Sequence, residues 1–311
     1  MVSAYFTIGS KCNHKCIFCP CQWVQRNKEI EFPIFKERIH EIEMNDKIDS
    51  IILSGGEPTI QDNFFELLTY LNHTRFHVRL LTNADSLSDS VTVEKIMSAI
   101  SPHKMDVVTA IHSHDNKTHD IITGCEGSFI RTNKGLQNMI QKGYCVNLKF
   151  CISRINYKHM GNFVDFIYDN FPDSVSLSFC SIDYCGRADK NSDTVEIEFK
   201  EIRRYLEEAL NKVGDYEMRD RKRNVIITNT PLCCIDPKYW KYFISDSKKN
   251  MEAFLPFPMK GEGKIKYNSA SGSGTFFRAC KKCDVEKYCA GAWYSAYKIF
   301  GENSVRPIRL V

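Results

Sequence analysis

Residues 12–19 read Cys12-Asn13-His14-Lys15-Cys16-Ile17-Phe18-Cys19, directly after a short apolar run at 4–8. Residues 54–59 read Ser54-Gly55-Gly56-Glu57-Pro58-Thr59, at the end of a second such run at 49–54. Working outward, strand-like runs recur at 4–8, 49–54, 78–83, 106–112, 146–153 and 175–182. Helix-like stretches with apolar residues three or four apart fall between them, at 35–44, 64–71, 91–100, 129–140 and 160–168. Strand and helix alternate six times. Such alternation requires parallel strands joined by right-handed crossovers, with runs such as Ile51-Ile52-Leu53 covered on both faces. Six units fall short of the eight of a closed barrel. The expected fold class is therefore α/β, a partial (β/α)6 TIM-type barrel over residues 1–195.

After Asp189 the regularity fades into a polar connection at 190–194. The amphipathic stretch 199–210 is expected to bridge, within 196–223, to a second unit at 224–311. That unit opens with the strand-like run Val225–Thr228 and the pair Cys233-Cys234, continues through a Gly-, Ser- and Lys-rich loop at 260–274, and ends in a cysteine-rich segment. Its ~80 residues show too little apolar periodicity for a core of their own, and a bound metal would supply the missing stability.

The 311 residues are 43% hydrophobic and 26% charged, which excludes disorder as a global description. A net charge of +4 is too weak for an extended nucleic-acid footprint. The basic run at 219–223 reads as a solvated loop or helix end. No apolar run reaches ~18 residues and residues 1–11 lack a secretion-signal layout, so the expectation is no membrane span and a cytoplasmic location. Fourteen cysteines in such a chain signal metal or redox chemistry rather than a disulfide framework.

Three thiolates on one short loop can converge on one metal centre, and the spacing of Cys12, Cys16 and Cys19 differs from zinc-finger pairs and from ferredoxin runs. A [4Fe-4S] cubane takes four ligands, so three cysteines leave one iron open; a zinc knuckle is the alternative. Paired glycines allow a close backbone approach, and the amides and carbonyls of that loop suit a ligand's amino group; a plain turn is the alternative. Cys280, Cys283 and Cys289, with Cys233 or Cys234 upstream, form a second metal pattern, zinc or iron–sulfur by spacing alone.

With their order and placement, these motifs resemble the radical S-adenosylmethionine (SAM) superfamily over about residues 3–190, including the aromatic Phe18 before the third cysteine. The resemblance implies that Cys12, Cys16 and Cys19 hold a [4Fe-4S] cluster whose open iron binds SAM. One electron would then split the sulfonium bond, and the resulting 5′-deoxyadenosyl radical would abstract hydrogen from a substrate. It places Gly55, Gly56 and Glu57, with Pro58 in the same loop, beside the SAM amino group. Asn83, Ser113, Asp115, Ser153 and Asn156 would contact ribose and carboxylate, with capping or turn roles as the alternative.

The C-terminal segment resembles the cysteine-rich appendage of the SPASM and twitch subgroups, and Cys185-Gly186-Arg187-Ala188 resembles the turn leading into it. Where a fuller SPASM pattern has a further cysteine this chain has Trp293, which implies one auxiliary [4Fe-4S] cluster, on Cys233, Cys280, Cys283 and Cys289. Adjacent Cys233 and Cys234 cannot easily both reach it. The spare one is a candidate hydrogen donor to a substrate radical, as are Cys21, Cys180 and Cys185. Cys125, Cys145 and Cys151 read as buried and inert, and His40, His73 and His77 as structural. Residues 119–129 resemble members that act on peptides. The expectation is a peptide-modifying enzyme performing epimerisation, crosslinking or oxidation, fed by an external donor such as flavodoxin or ferredoxin. With no leader-binding extension in view, a peptide would bind at the barrel mouth or through a separate partner. Alternatives are dehydrogenation of a small-molecule intermediate and a non-catalytic zinc protein.

Overall fold

A computed structural model describes residues 2–20, 29–243, 251–255, 266–269, 273–274 and 277–310. Seven parallel strands follow one another across the sheet: β1 (Val2–Gly9), β2 (Ile48–Gly55), β3 (His77–Leu81), β4 (Met105–Ala110), β5 (Cys145–Ile152), β6 (Ser176–Ser181) and β7 (Val225–Thr228). The intervening helices are α1 (Phe32–Glu43), α2 (Phe64–Asn72), α3 (Ser90–Ala99), α4 (Asn116–Thr123), α5 (Ser128–Gln141) and α6 (Met160–Asn170). Two short helices, α7 (Arg187–Lys190) and α8 (Ser192–Val195), precede the long α9 (Phe199–Met218). The sheet is an open partial barrel with helices outside, as the six strand–helix alternations require.

Register explains why these runs are strands. Phe6, Leu53, Leu80, Val107 and Val146 stand side by side on successive strands and are all buried, forming one layer against the helices. One residue along, Tyr5, Ile52, Arg79 and Asp106 share the opposite, concave face. Further along that face come Lys149 and Ser178. Closed (β/α)8 barrels fill this position with branched apolar side chains. Here it is largely polar.

Two elements differ from the sequence expectation. Val225–Thr228, expected to open the second unit, pairs in parallel with β6 and is the seventh strand of the main sheet. On the other side β8 (Met251–Leu255) pairs in parallel with β1, and β9 (Lys266–Ser269) is antiparallel to β8, so part of the 260–274 segment is strand. The rest of that segment, except β10 (Ser273–Gly274), lies outside the described residues, as does Cys21. β10 pairs with β11 (Ala292–Trp293), which leads into α10 (Tyr294–Phe300). The stretch expected at 199–210 extends through Met218, started by reciprocal capping between Glu198 and Glu201 and buried along Phe199, Ile202, Leu206, Leu210 and Val213. Among the described residues no helix is long and apolar enough to cross a membrane.

Candidate cluster and cofactor site

The loop after β1 is fixed by its backbone before any ligand is considered. On one side Lys15 N and Ile17 N donate to Thr123 O and Ile122 O at 2.8 and 2.9 Å. These are among the last carbonyls of α4, which a helix leaves without internal partners. Gly124 ends that helix in the left-handed region, φ 60°. On the other side Gly56 N donates to Gly9 O at 2.9 Å and Glu57 N to Lys11 O at 2.7 Å. Gln61 Nε2 braces the same carbonyl of Lys11 and that of Glu57.

The glycine pair is explained by this approach. A Cβ on Gly55 would lie 2.3 Å from Gly9 O, and one on Gly56 2.2 Å from Lys11 O. The close approach that the paired glycines allow is made by the chain's own first loop. Pro58 starts a 3-10 turn over Pro58–Ile60. Glu57, 1% exposed, accepts from Thr59 N, Thr59 Oγ1, Thr82 Oγ1 and Asn83 N at 2.6–3.1 Å. Burial pushes its carboxyl above the usual range while these four donors oppose the shift. It locks the second loop to the end of β3, and Asn83 completes the lock by donating from Nδ2 to Asn13 Oδ1 at 2.8 Å.

Cys12, Cys16 and Cys19 thus sit on a loop held from several directions. Burial raises the Cys12 thiol to about 11; Glu57 and Cys19 add to the rise and Arg187 opposes it. Burial also pushes up Cys16, with Cys19, Cys12 and Cys151 contributing. Thiols that mutually resist ionisation become thiolates on binding a cationic centre, so this donor set fits a metal cluster. Among the described residues, His14, Asp85 and Cys125 form the set of three such ligand atoms lying within 4.8 Å of one another; neither cysteine motif is gathered so tightly. Tetrahedral zinc at about 2.3 Å from sulfur would bring its thiolates to about 3.8 Å apart.

The His14, Asp85 and Cys125 set already has its cation. Arg131 Nε donates to both Asp85 oxygens at 2.9 Å and Arg131 Nη2 lies 3.2 Å from Cys125 Sγ, while His14 Nε2 bonds Asp85 at 2.9 Å. His14, between the first two cysteines, is therefore turned away from them.

The other rim residues are committed to protein partners. Ser113 Oγ pairs with His159 Nδ1 at 2.8 Å and accepts from Asp115 N, and Asp115 caps α4 through Thr118 N. Asn156 accepts from Ser153 N and Oγ, and donates to His112 O and Cys151 O, tying β4 to β5. Phe18 is buried edge-on against His112 at 5.1 Å, and His112 packs on His119 at 5.5 Å.

His119 makes a prediction. Its Nδ1 accepts from His112 N, and burial lowers it to about 4. The unfolded chain binds a proton there near pH 6.5, whereas the folded chain does so only near 4. Stability from this group is present above pH 6.5 and lost as pH falls toward 4, by about 3 kcal/mol in total. Urea midpoints of the apoprotein should fall over that window, and His119→Gln should flatten the dependence.

The second cysteine set lines one small pocket: Cys233, Cys280, Cys283 and Cys289, with Leu232 and Phe277 among the apolar walls. Cys289 Sγ accepts from Leu232 N and Gly291 N at 3.3 Å, and Cys283 Sγ from Ile308 N at 3.4 Å. Amide donors to sulfur are a device that tunes iron–sulfur ligands. Cys234 is buried and is not among the residues lining the cavity. Its hydrogen bond lowers the Cys233 thiol to about 7. Sequence reasoning missed His14, Arg131 and Gln61, and read residues 185–188 as a connecting turn with Cys185 a candidate hydrogen donor. The one local signal was a histidine inside the cysteine motif.

The chain is similar over 186 residues, at 26% identity, to Fe-coproporphyrin III synthase of Methanosarcina barkeri, covering 58% of this chain and 44% of that protein. It is similar over 164 residues, at 27%, to a probable GTP 3′,8-cyclase of Saccharolobus islandicus, covering 51% and 50%. It thus spans about half the length of these curated relatives. Its fold matches Streptococcus suis SuiB bound to precursor peptide SuiA, TM-score 0.68 at 16% identity over 98% of this chain and 74% of that one. It also matches anSMEcpe with bound AdoMet and the Kp18Cys peptide, TM-score 0.67 at 13% identity over 98% and 92%. The profile of the radical SAM superfamily matches residues 6–167, more than half of the sequence and the part that carries both motifs, so the chain belongs to the radical SAM superfamily.

Proposed function

We propose that this chain is a peptide-modifying radical SAM enzyme with one auxiliary [4Fe-4S] cluster. The observation behind the reading is a loop that carries three thiols and whose histidine, His14, is tied through Nε2 to Asp85. Three ligands leave one iron for SAM. A cluster held there would supply the electron for reductive cleavage of SAM, and so the radical chemistry that abstracts hydrogen from a substrate. The chain's own residues hold the loop by its backbone from several sides and present a polar concave wall with Arg79, Asp106 and Lys149 to a substrate. Of the rim residues, Gly55, Gly56, Glu57 and Asn83 support the cofactor loop chiefly through its backbone.

The peptide assignment is supported by the likeness to SuiB and anSMEcpe, both solved with peptides bound. A small-molecule substrate is the second reading, favoured by the names of the sequence relatives. A cytoplasmic location and an external donor of the flavodoxin or ferredoxin kind belong to the same proposal, as does an auxiliary unit around Cys233, Cys280, Cys283 and Cys289, with β7, β8 and β9 left in the main sheet. Peptides co-expressed with the enzyme should show altered mass or a changed stereocentre by mass spectrometry. 5′-Deoxyadenosine production stimulated only by small molecules would overturn the peptide reading.

Cys233 and Cys234 provide a direct check on the auxiliary site. Cys233→Ala should lower iron from about eight to about four per chain, whereas Cys234→Ala should leave it unchanged. Equal losses in both, or zinc in place of iron and sulfide, would remove the second cluster from the proposal.

A further inference from the structure

We propose that residues 181–191 form a positioning strap that ties the first cysteine loop to the C-terminal cysteine unit. Toward the first loop, Arg187 N donates to Cys19 O at 3.0 Å and Arg187 Nη1 to Cys16 O at 3.5 Å. Asn191 Nδ2 donates to Ile17 O at 2.7 Å and to Arg187 O at 2.9 Å. Gly186 has φ 70°, and a Cβ there would meet Cys19 O at 2.6 Å, so the strap lies directly on the loop. Carbonyls at 16, 17 and 19 are all held by this one segment.

Toward the C-terminal unit, Trp293 Nε1 donates to Ser181 O at 2.8 Å. Ser295 Oγ accepts from Tyr184 N at 2.9 Å and donates to Asp183 Oδ1 at 2.5 Å. Tyr184 packs edge-on against Phe300 at 5.4 Å. Trp293 and Ser295 lie four and six residues after Cys289. The two sets of bonds are separated by two or three residues of chain, too few to absorb a shift of either end. Organisation of the C-terminal cysteines therefore biases the geometry of the first loop, with Arg187 and Ser295 as positioning residues. The coupling rests on the reading of both cysteine sets as clusters.

The test uses the full chain reconstituted anaerobically, with iron and sulfide counts and the electron paramagnetic resonance spectrum of the reduced first cluster during SAM titration. Ser295→Ala should keep about eight irons. It should raise the SAM concentration for half the spectral change about tenfold, from two lost hydrogen bonds. Ser295→Thr, which retains the hydroxyl, should restore it. Arg187→Gln, which loses the bond to Cys16 O but keeps the backbone bond to Cys19 O, should produce a smaller shift in the same direction with the second cluster intact, and Cys280→Ser with Cys283→Ser should reproduce the Ser295→Ala shift by emptying the second site. Should Ser295→Ala not fold, Trp293→Phe, which loses the bond to Ser181, replaces it in the comparison. A Ser295→Ala titration matching wild type, or a normal titration after the second cluster is removed, overturns the strap. A wild-type chain holding only about four irons refutes the auxiliary cluster instead, and the Ser295 comparison still decides whether the strap positions the loop.

Discussion

Changing Cys12, Cys16 and Cys19 together to Ala is expected to abolish 5′-deoxyadenosine formation under reducing conditions, a fall of more than about 10³-fold. Iron should drop by about half, because the second cysteine set is untouched. The effect is large because residues 12–19 hold no fourth thiol, and of the His14 ring only Nδ1 is left without a partner. His14 is 5% exposed and bound to Asp85, which Arg131 also holds, and Asn13 is paired with Asn83. The loop itself should survive, since Lys15 N, Ile17 N and the carbonyls at 16, 17 and 19 are held by backbone and strap bonds that involve no sulfur. The triple variant should therefore retain the wild-type far-ultraviolet dichroism and elute as wild type. Persistent 5′-deoxyadenosine would mean that these thiols are not the ligands.

The six strand–helix units were legible because each has its own local signal: short apolar runs such as Ile51-Ile52-Leu53 mark strands, and the helix stretches repeat at three and four. The place of β7 was not, because its pairing of Thr228 with Cys180 spans 48 residues and has no local signature. A short apolar run looks the same whether it opens a new unit or closes an old sheet. The cysteine motif announced its own chemistry, since ligand number and spacing are local. What positions the motif is long-range: His14 to Asp85, Arg131 to Asp85, and Arg187 to Cys19. The paired glycines announced a close approach without naming the partner, which proved to be Gly9 and Lys11 rather than open space. Ser153 and Asn156 read equally as rim contacts or as turn residues, and their bonds to each other and to strand-end carbonyls favour the second role.

Gly56→Ala should empty the first site while sparing the second. The added methyl would stand 2.2 Å from Lys11 O and 2.6 Å from Ser10 O, both backbone atoms that cannot swing aside as a side chain could. Relief requires the loop to move off the end of β2, breaking the bonds from Gly56 N to Gly9 O and from Glu57 N to Lys11 O. Lys11 directly precedes the first ligand, so displacement there is displacement of Cys12. We expect a loss of about 2–4 kcal/mol in urea unfolding. SAM cleavage should fall more than about 10²-fold, as a misplacement of about 1 Å is enough to cost that much. Gly214→Ala is the matched control: it lies within α9 with nothing near its Cβ, and should gain about 0.5–1 kcal/mol. Full iron and undiminished SAM cleavage in Gly56→Ala would show that the two loops can separate without cost, and the close packing of β1 and β2 ends would then not be what sets the cluster in place.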